Sequence, residues 1–125
     1  MGHNPKKHYT TAIYDVTGDD SGAAATTHTP GTTSLIPDNA VITDVTVYCE
    51  TAFAGSSGTL TINAGGVDCT AAIGVATLAD ESVTIDTTGG KATSNAAIKC
   101  KTHGSNAFTG GKAHITVGYL LGFAE

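Results

Sequence analysis

Residues 40–53 read AVITDVTVYCETAF, and this stretch decides the fold class of the chain. Apolar residues recur at its odd-numbered positions, which are Val41, Val45, Val47, Cys49 and Phe53. Polar residues such as Asp44, Thr46 and Glu50 stand at even-numbered positions between them. A repeat of two residues is typical of a β-strand with one face in the core and the other in water. The stretch therefore predicts a long, half-buried strand.

Turn signals lie on both sides of this strand. On its N-terminal side, residues 35–39 read LIPDN, where Pro37 fixes φ and the Asp or Asn side chain can bond its own backbone. On its C-terminal side, residues 55–58 (GSSG) are predicted to form a hairpin loop, and residues 59–64 (TLTINA) return with the same alternation. These features predict an antiparallel hairpin.

Shorter alternating runs predict further strands at residues 8–16, 82–86, 94–102 and 112–121. In one of them the alternation places Val83 and Ile85 on the same face. Residues 67–78 suit either a short helix or a strand. Residues 17–33 have the composition of a long loop, a kind of segment that is usually functional or held by a partner.

Six to eight short strands separated by glycine-rich turns are typical of an antiparallel β-sandwich with jelly-roll or Greek-key topology. The recurrent helices that an α/β fold requires have no counterpart in the pattern. A length of 125 residues fits one such domain. We expect an all-β fold, with a β-sandwich domain over residues 10–125 preceded by an extended N-terminal arm over residues 1–9.

Composition narrows the classes of function. With 6 Lys and Arg against 11 Asp and Glu, the formal net charge is -5, which is not the basic footprint of a nucleic-acid-binding protein. No apolar stretch approaches the roughly 20 residues that span a bilayer. No apolar run follows the N-terminal MGHNPKK, so a secretory signal is not expected. We therefore expect no nucleic-acid and no membrane partner.

No residue pattern indicates a catalytic, cofactor or metal site. The cysteines are predicted to be small, buried, reduced residues without metal spacing: Cys49, Cys69 and Cys100. The histidines are too widely spaced to share a site on one element: His3, His8, His28, His103 and His114. Residues 55–58 depart from the nucleophile-elbow spacing, and adjacent carboxylates such as Asp19 and Asp20 more often solvate a loop than bind calcium. We expect no enzyme activity, no cofactor, no metal and no small-molecule substrate.

Four segments carry a resemblance to a known class of proteins: LIPDNAVITDVTV (residues 35–47), TAF (51–53), GTLTI (58–62) and AHITVGY (113–119). Their order, a proline turn, a long strand, a T-A-F corner, a returning strand and a closing strand, resembles small virion proteins of tailed bacteriophages. The resemblance implies a capsid decoration (cement) protein, a β-sandwich bound outside the capsid. The alternative is a glycan- or receptor-binding module of a tail or head fibre, against which 6% aromatic residues and the absence of tryptophan weigh.

The same resemblance implies the partners and the location. They are the major capsid protein and further copies of this chain in a trimer, on the exterior of a capsid whose proteins are made in the host cytoplasm. The polar arm supplies the predicted partner-binding residues: His3, Lys6, Lys7, His8 and Tyr9. We expect a neighbouring subunit to hold this arm by strand addition. Lysines are absent between Asp15 and Glu50, which predicts a basic docking side and salt-sensitive attachment.

Overall fold

The structure is a computed structural model and describes residues 6–55, 58–104 and 107–121. Within these ranges the chain forms strands and no helix, so no helix long and apolar enough to cross a membrane is present there. The twelve strands are β1 (Lys6–Asp15), β2 (Thr27–His28), β3 (Leu35–Ile36), β4 (Val41–Ala54), β5 (Thr59–Ala64), β6 (Val67–Asp68), β7 (Ile73–Gly74), β8 (Val83–Asp86), β9 (Gly90–Lys91), β10 (Ala96–Ala97), β11 (Lys99–His103) and β12 (Gly110–Leu121).

The strands form two five-stranded antiparallel sheets and one short ribbon. Sheet A has the order β1-β12-β4-β8, with β9 also beside β4. Sheet B has the order β2-β11-β5-β6, with β7 also beside β5, and β3 pairs with β10 in the ribbon. The predicted antiparallel hairpin of residues 40–64 is wrong, because β4 pairs with β12, β8 and β9 in sheet A whereas β5 pairs with β11, β6 and β7 in sheet B. The two strands direct their apolar side chains into the core from opposite sheets, so the connection between them crosses from sheet A to sheet B. The chain returns to sheet A at β8, enters sheet B again at β11 and returns to sheet A at β12. The predicted all-β, antiparallel β-sandwich is confirmed.

One hydrophobic core lies between the two sheets. Sheet A contributes Ala12, Tyr14, Ile42, Val45, Val47, Cys49, Phe53, Ala113, Ile115, Val117 and Tyr119. Sheet B contributes Leu60, Ile62, Ala64, Ile73 and Cys100. Three aromatic rings meet at one end of this core, where Phe53 lies 5.8 Å from the Tyr14 ring and 5.1 Å, edge to face, from the Phe108 ring. Small and β-branched side chains fill the remainder, as the alternation predicts.

The alternation of β4 reverses near the start of the strand. Four of the predicted core residues are buried, namely Val45, Val47, Cys49 and Phe53, but Ile42 is 2% exposed and Val41 is only half-buried. The cause is a β-bulge, because Gly118 pairs with Asp44 while the next residue of β12 pairs with Ile42. The extra residue on β4 reverses which side chains face the core.

The other strand boundaries match the predictions in part. Strand β1 begins at Lys6 rather than at residue 8, and β5 covers residues 59–64 as predicted. Residues 67–78 contain two short strands and turns rather than a helix. All three cysteines are free and buried, as predicted. Burial raises the pKa of the Cys69 thiol to about 12 and shifts the pKa of the Cys49 and Cys100 thiols upward as well.

The predicted long loop, residues 17–33, is fastened to its own chain. The buried Tyr14 hydroxyl donates a 2.6 Å hydrogen bond to the carbonyl of Ser21, and burial raises the pKa of this hydroxyl. The Thr102 hydroxyl donates to the Ala23 carbonyl at 2.6 Å. His28 is buried, stacks on the Tyr14 ring and donates from Nε2 to the same Ala23 carbonyl. Strand β2 of this loop thereby lies against β11 as the edge of sheet B.

Candidate partner-binding surface

The outer face of sheet A carries two neighbouring rows of side chains that cross all four main strands. Strand pairing places Thr11, Thr116, Thr46 and Ile85 in one row. It places Ile13, His114, Tyr48 and Val83 in the next row. We call these eight residues the central patch. They are β-branched or aromatic, types that favour a sheet surface, and His114 and Tyr48 are its titratable members.

Large apolar side chains of the central patch are exposed to solvent. Val83 is 59% exposed, Ile85 66% and Tyr48 37%. The sequence alternation correctly places Val83 and Ile85 on one face of a strand, but that face is the outside of the sandwich rather than the core. Exposed clusters of this kind mark interaction sites more often than isolated apolar residues do.

A charged pair borders the central patch near the start of β4. The Lys7 ammonium lies 2.7 Å from Asp44 Oδ1 and donates a 2.8 Å hydrogen bond to Thr43 Oγ1. The lysine crosses β12 where Gly118 leaves room, since a Cβ there would lie 3.0 Å from Lys7 Cε and 2.6 Å from Asp44 Oδ1. The hydrogen bond to Asp44 raises the pKa of Lys7, and the same bond lowers the pKa of Asp44.

A second charged group borders the opposite side of the central patch. Glu50 Oε1 lies 2.8 Å from His114 Nε2, and Glu50 Oε2 lies 3.6 Å from the Lys112 ammonium. The hydrogen bond from His114 is the main cause that lowers the pKa of Glu50. Each lysine that borders the patch therefore has a carboxylate of the same chain beside it.

The outer face of sheet B has a different chemistry. Asp68 accepts a 2.9 Å hydrogen bond from the Asn63 amide and a 3.0 Å bond from the Lys101 ammonium, and both bonds lower its pKa. Lys99 and Thr27 extend this polar surface along β11 and β2. Among the residues that the structure describes, no large exposed hydrophobic side chain lies on sheet B.

The predicted partner-binding residues are distributed over both faces of β1. Lys7 and the 63% exposed Tyr9 lie on the outer face of sheet A, with the Lys7 ammonium 5.5 Å from the Tyr9 ring centroid. His8 points to the other face and stacks on Tyr119, with 5.4 Å between ring centroids. Lys6 is exposed at the start of the strand, and His3 lies outside the described residues. Residues 6–9 of the predicted arm are extended and pair with β12 of the same chain.

The outward edge of β1 is partly covered. The Ile13 N–H donates to the Thr32 carbonyl at 2.9 Å, away from β12. In an antiparallel strand alternate residues present N–H and C=O to the same side, so Tyr9 and Thr11 also direct these groups away from β12. No backbone bond of Tyr9 or Thr11 to another described residue fills that side. As far as residues 6–55, 58–104 and 107–121 are concerned, the first half of β1 is therefore an open sheet edge.

Basic residues do not gather on one side, contrary to the expected basic docking side. Lys7 and Lys112 lie on sheet A, whereas Lys99 and Lys101 lie on the outer face of sheet B. Carboxylates of the same chain lie beside three of these lysines: Lys7, Lys101 and Lys112. The reason is that the lysines come from β1, β11 and β12, and these strands belong to different sheets.

A cleft of about 340 Å³ between β1 and the long loop contains Asp15, Asp19, Asp20 and Lys112. Two of its three carboxylates bond to the local backbone, because Asp15 accepts from the Gly18 N–H and Asp20 accepts from the N–H groups of Asp15 and Gly31. Within residues 6–55, 58–104 and 107–121, no group of three or more His, Cys, Asp or Glu side chains is placed to hold a metal ion. Asp15 and Asp20 thus hold the turns that line the cleft.

The whole chain is similar in fold to a phage capsid chain. No protein-family model and no curated protein sequence matches it. A chain of the Cyanophage Pam1 capsid asymmetric unit superimposes with a TM-score of 0.63 at 20% sequence identity. The likeness covers 98% of this chain and 91% of that chain, so it includes both sheets and the loops that join them.

Proposed function

We propose that this chain is a structural protein of a tailed-phage virion, and specifically a capsid decoration protein on the outside of the shell. The observation that carries the proposal is the fold likeness to a chain of a cyanophage capsid unit over nearly the full length of both chains. The exposed apolar rows of sheet A support a binding role of this kind. The role requires no catalysis, cofactor, metal, nucleic acid or small-molecule substrate.

The proposed partners are the major capsid protein and further copies of this chain as a trimer. The open edge of β1 supports strand addition by a neighbouring subunit, because edge strands with unpaired N–H and C=O groups are templates for another strand. Lysine often blocks such edges, but Lys7 is drawn across the sheet toward Asp44. The predicted residues His3, Lys6, Lys7, His8 and Tyr9 thus remain proposed as contacts with a neighbouring copy.

Shells assembled without this protein test the proposed function. We expect the purified chain to sediment with such shells and to appear by electron microscopy at regular positions on their exterior. Density on a tail or head fibre instead would support the alternative, a glycan- or receptor-binding module. A virion without the protein would contradict both. Light scattering tests the trimer, which has three times the monomer mass of 12.5 kDa.

The alternative has one observation in its favour. Two exposed tyrosines, Tyr9 and Tyr48, lie on the same outer face, and exposed aromatic rings bind sugars. Strand pairing separates them, because Tyr9 stands opposite Gly118 and Tyr48 opposite His114. Four residues along a strand correspond to roughly 13 Å, so the two rings do not form a single platform.

Substitution of Thr11 by Pro tests the strand-addition part of the proposal. Proline removes an N–H that points away from β12, so we expect the fold of the free chain to persist and trimer formation to weaken. Thr11→Ala keeps the N–H and is the matched control. If Thr11→Pro and a deletion of residues 1–7 both leave the trimer intact, β1 is not the contact between copies.

A further inference from the structure

We propose that the central patch of sheet A is the surface that binds the capsid shell, and that the shell presents an uncharged surface with an apolar centre to it. This inference rests on the proposed function and names the binding face for it. The patch consists of the two rows defined above, which run from β1 at one edge of the sheet to β8 at the other.

The first argument is exposure without an internal partner. Val83 and Ile85 leave more than half of their surface in water. The β8 strand places them opposite Tyr48 and Thr46, so the apolar surface is continuous across two strands. On sheet B the corresponding outward positions carry Lys99, Lys101 and Asn63.

The second argument is charge. The central patch contains no lysine, arginine or carboxylate, and the two lysines that border it each lie beside a carboxylate of the same chain: Lys7 beside Asp44, and Lys112 beside Glu50. The apolar centre surrounded by polar residues is the usual anatomy of a protein interface. A partner surface with a net charge at its centre finds no opposite charge in the patch and gains no binding free energy there. An uncharged apolar surface gains binding free energy from burying the patch. Binding through this face is therefore only weakly sensitive to salt, unlike the attachment that the lysine distribution predicts.

The third argument is size, and it favours the shell over a second copy of this chain. The central patch has eight residues, whereas a stable interface between two proteins uses roughly 20–30 residues on each side. A small patch is insufficient for a stable face-to-face dimer of free chains. On a capsid lattice, a subunit assembly presents several copies of the patch at once, and the contacts add by avidity.

Matched double variants test the inference on shells assembled without this protein. Val83→Lys with Ile85→Lys places two charges in the patch, and we expect binding to fall by at least about 100-fold. Val83→Thr with Ile85→Thr keeps β-branched residues and should weaken binding about tenfold. The control, Thr27→Lys with His103→Lys, adds the same positive charge to exposed positions of sheet B and should bind within about twofold of the parent. Thermal unfolding of each free variant verifies the fold.

The outcomes separate the inference from the proposed function. If the parent chain does not bind shells, the proposed function is wrong and the inference with it. If the parent binds and the patch variants bind equally well, the function stands and the inference is wrong. If the patch variants lower the mass in light scattering while shell binding is retained, the patch contacts another copy and the inference is also wrong. A loss of parent binding by more than about tenfold between 0.05 and 0.5 M salt contradicts the uncharged partner surface.

Discussion

The outer faces of sheet A and sheet B arise from the same strand alternation but present different chemistry to their surroundings. On sheet A the outward positions hold threonines, Tyr48, Val83 and Ile85, with charges only along the borders. On sheet B they hold Lys99, Lys101 and Asn63, with Asp68 bonded to two neighbours. A β-sandwich needs both inner faces for its core, so the outer faces are free to differ. The difference indicates which side of the molecule meets a partner and which meets water.

The edges of the two sheets differ in the same sense. On sheet B, β2 covers β11, and the buried side chains of His28 and Thr102 hold that edge in place. On sheet A, β1 is covered at Ile13 by Thr32, while its first half is open. Sheet B therefore ends in a short edge strand that buried side chains hold in place and is hydrophilic outside, whereas sheet A combines an open edge with an apolar face.

The largest expected effect comes from removal of the Thr102 hydroxyl, which holds the segment before β2 at the edge of sheet B. This hydroxyl donates to the Ala23 carbonyl and accepts from the Thr26 N–H, and its residue is buried. Thr102→Val keeps the shape but leaves the Thr26 N–H without this partner and the Ala23 carbonyl with the bond from His28 alone, so the free energy of unfolding should fall by about 1–3 kcal/mol. Urea denaturation measures it, and Thr102→Ser is the control. A loss below about 0.5 kcal/mol would mean that the loop is not held by this bond.

The positions of the long strands could be predicted from the sequence, because local alternation of apolar and polar residues is sufficient to indicate a strand. The strands at residues 40–53, 59–64 and 112–121 and the buried residues of β4 from Val45 onward could be predicted in this way. The reversal at Ile42 could not, because the bulge depends on how β12 pairs with β4. Alternation also cannot say which face of a short strand such as β8 is buried.

The candidate partner-binding surface could not be predicted in this way, because its residues lie far apart in the sequence. The central patch combines β1, β4, β8 and β12, and pairing of these strands is what brings Ile13, His114, Tyr48 and Val83 into one row. Sequence reasoning instead selected the basic arm, because charges stand out in a chain with few of them. The one local signal of the patch was the alternation that places Val83 and Ile85 on one face of a strand. Alternation does not show whether that face is buried in the core or exposed to solvent.

Acid should destabilise the fold through carboxyl groups on both outer faces, and substitution of one carboxyl at a time separates the two contributions. The pKa values of Asp44 on sheet A and Asp68 on sheet B are lowered in the folded chain. A carboxyl with a lowered folded pKa stabilises the fold above its unfolded value, and this contribution is lost as pH falls through the folded value. Stability should therefore decline from about pH 5 downward, and Asp44→Asn and Asp68→Asn should each flatten the decline by less than about 1 kcal/mol.

Urea denaturation at several values between pH 7 and pH 3 measures this dependence. The two variants test the two faces separately, since Asp44 borders the central patch and Asp68 does not. We expect Asp44→Asn to alter shell binding slightly as well, because Lys7 is then released toward the patch and the open edge of β1. A decline that is unchanged in both variants would show that other carboxyls dominate acid unfolding.

The smallest expected effect is the loss of a charge from the outer face of sheet B. Lys101 forms an ion pair with Asp68, which also accepts a hydrogen bond from the Asn63 amide, and both charged side chains are partly exposed to water. Lys101→Ala should lower the free energy of unfolding by about 0.3–0.5 kcal/mol, a difference that 1 M salt removes. Shell binding should not change, because this face meets water. If instead Lys101→Ala weakens binding more than Ile85→Thr does, sheet B is the interface, and the roles assigned to the two faces are reversed.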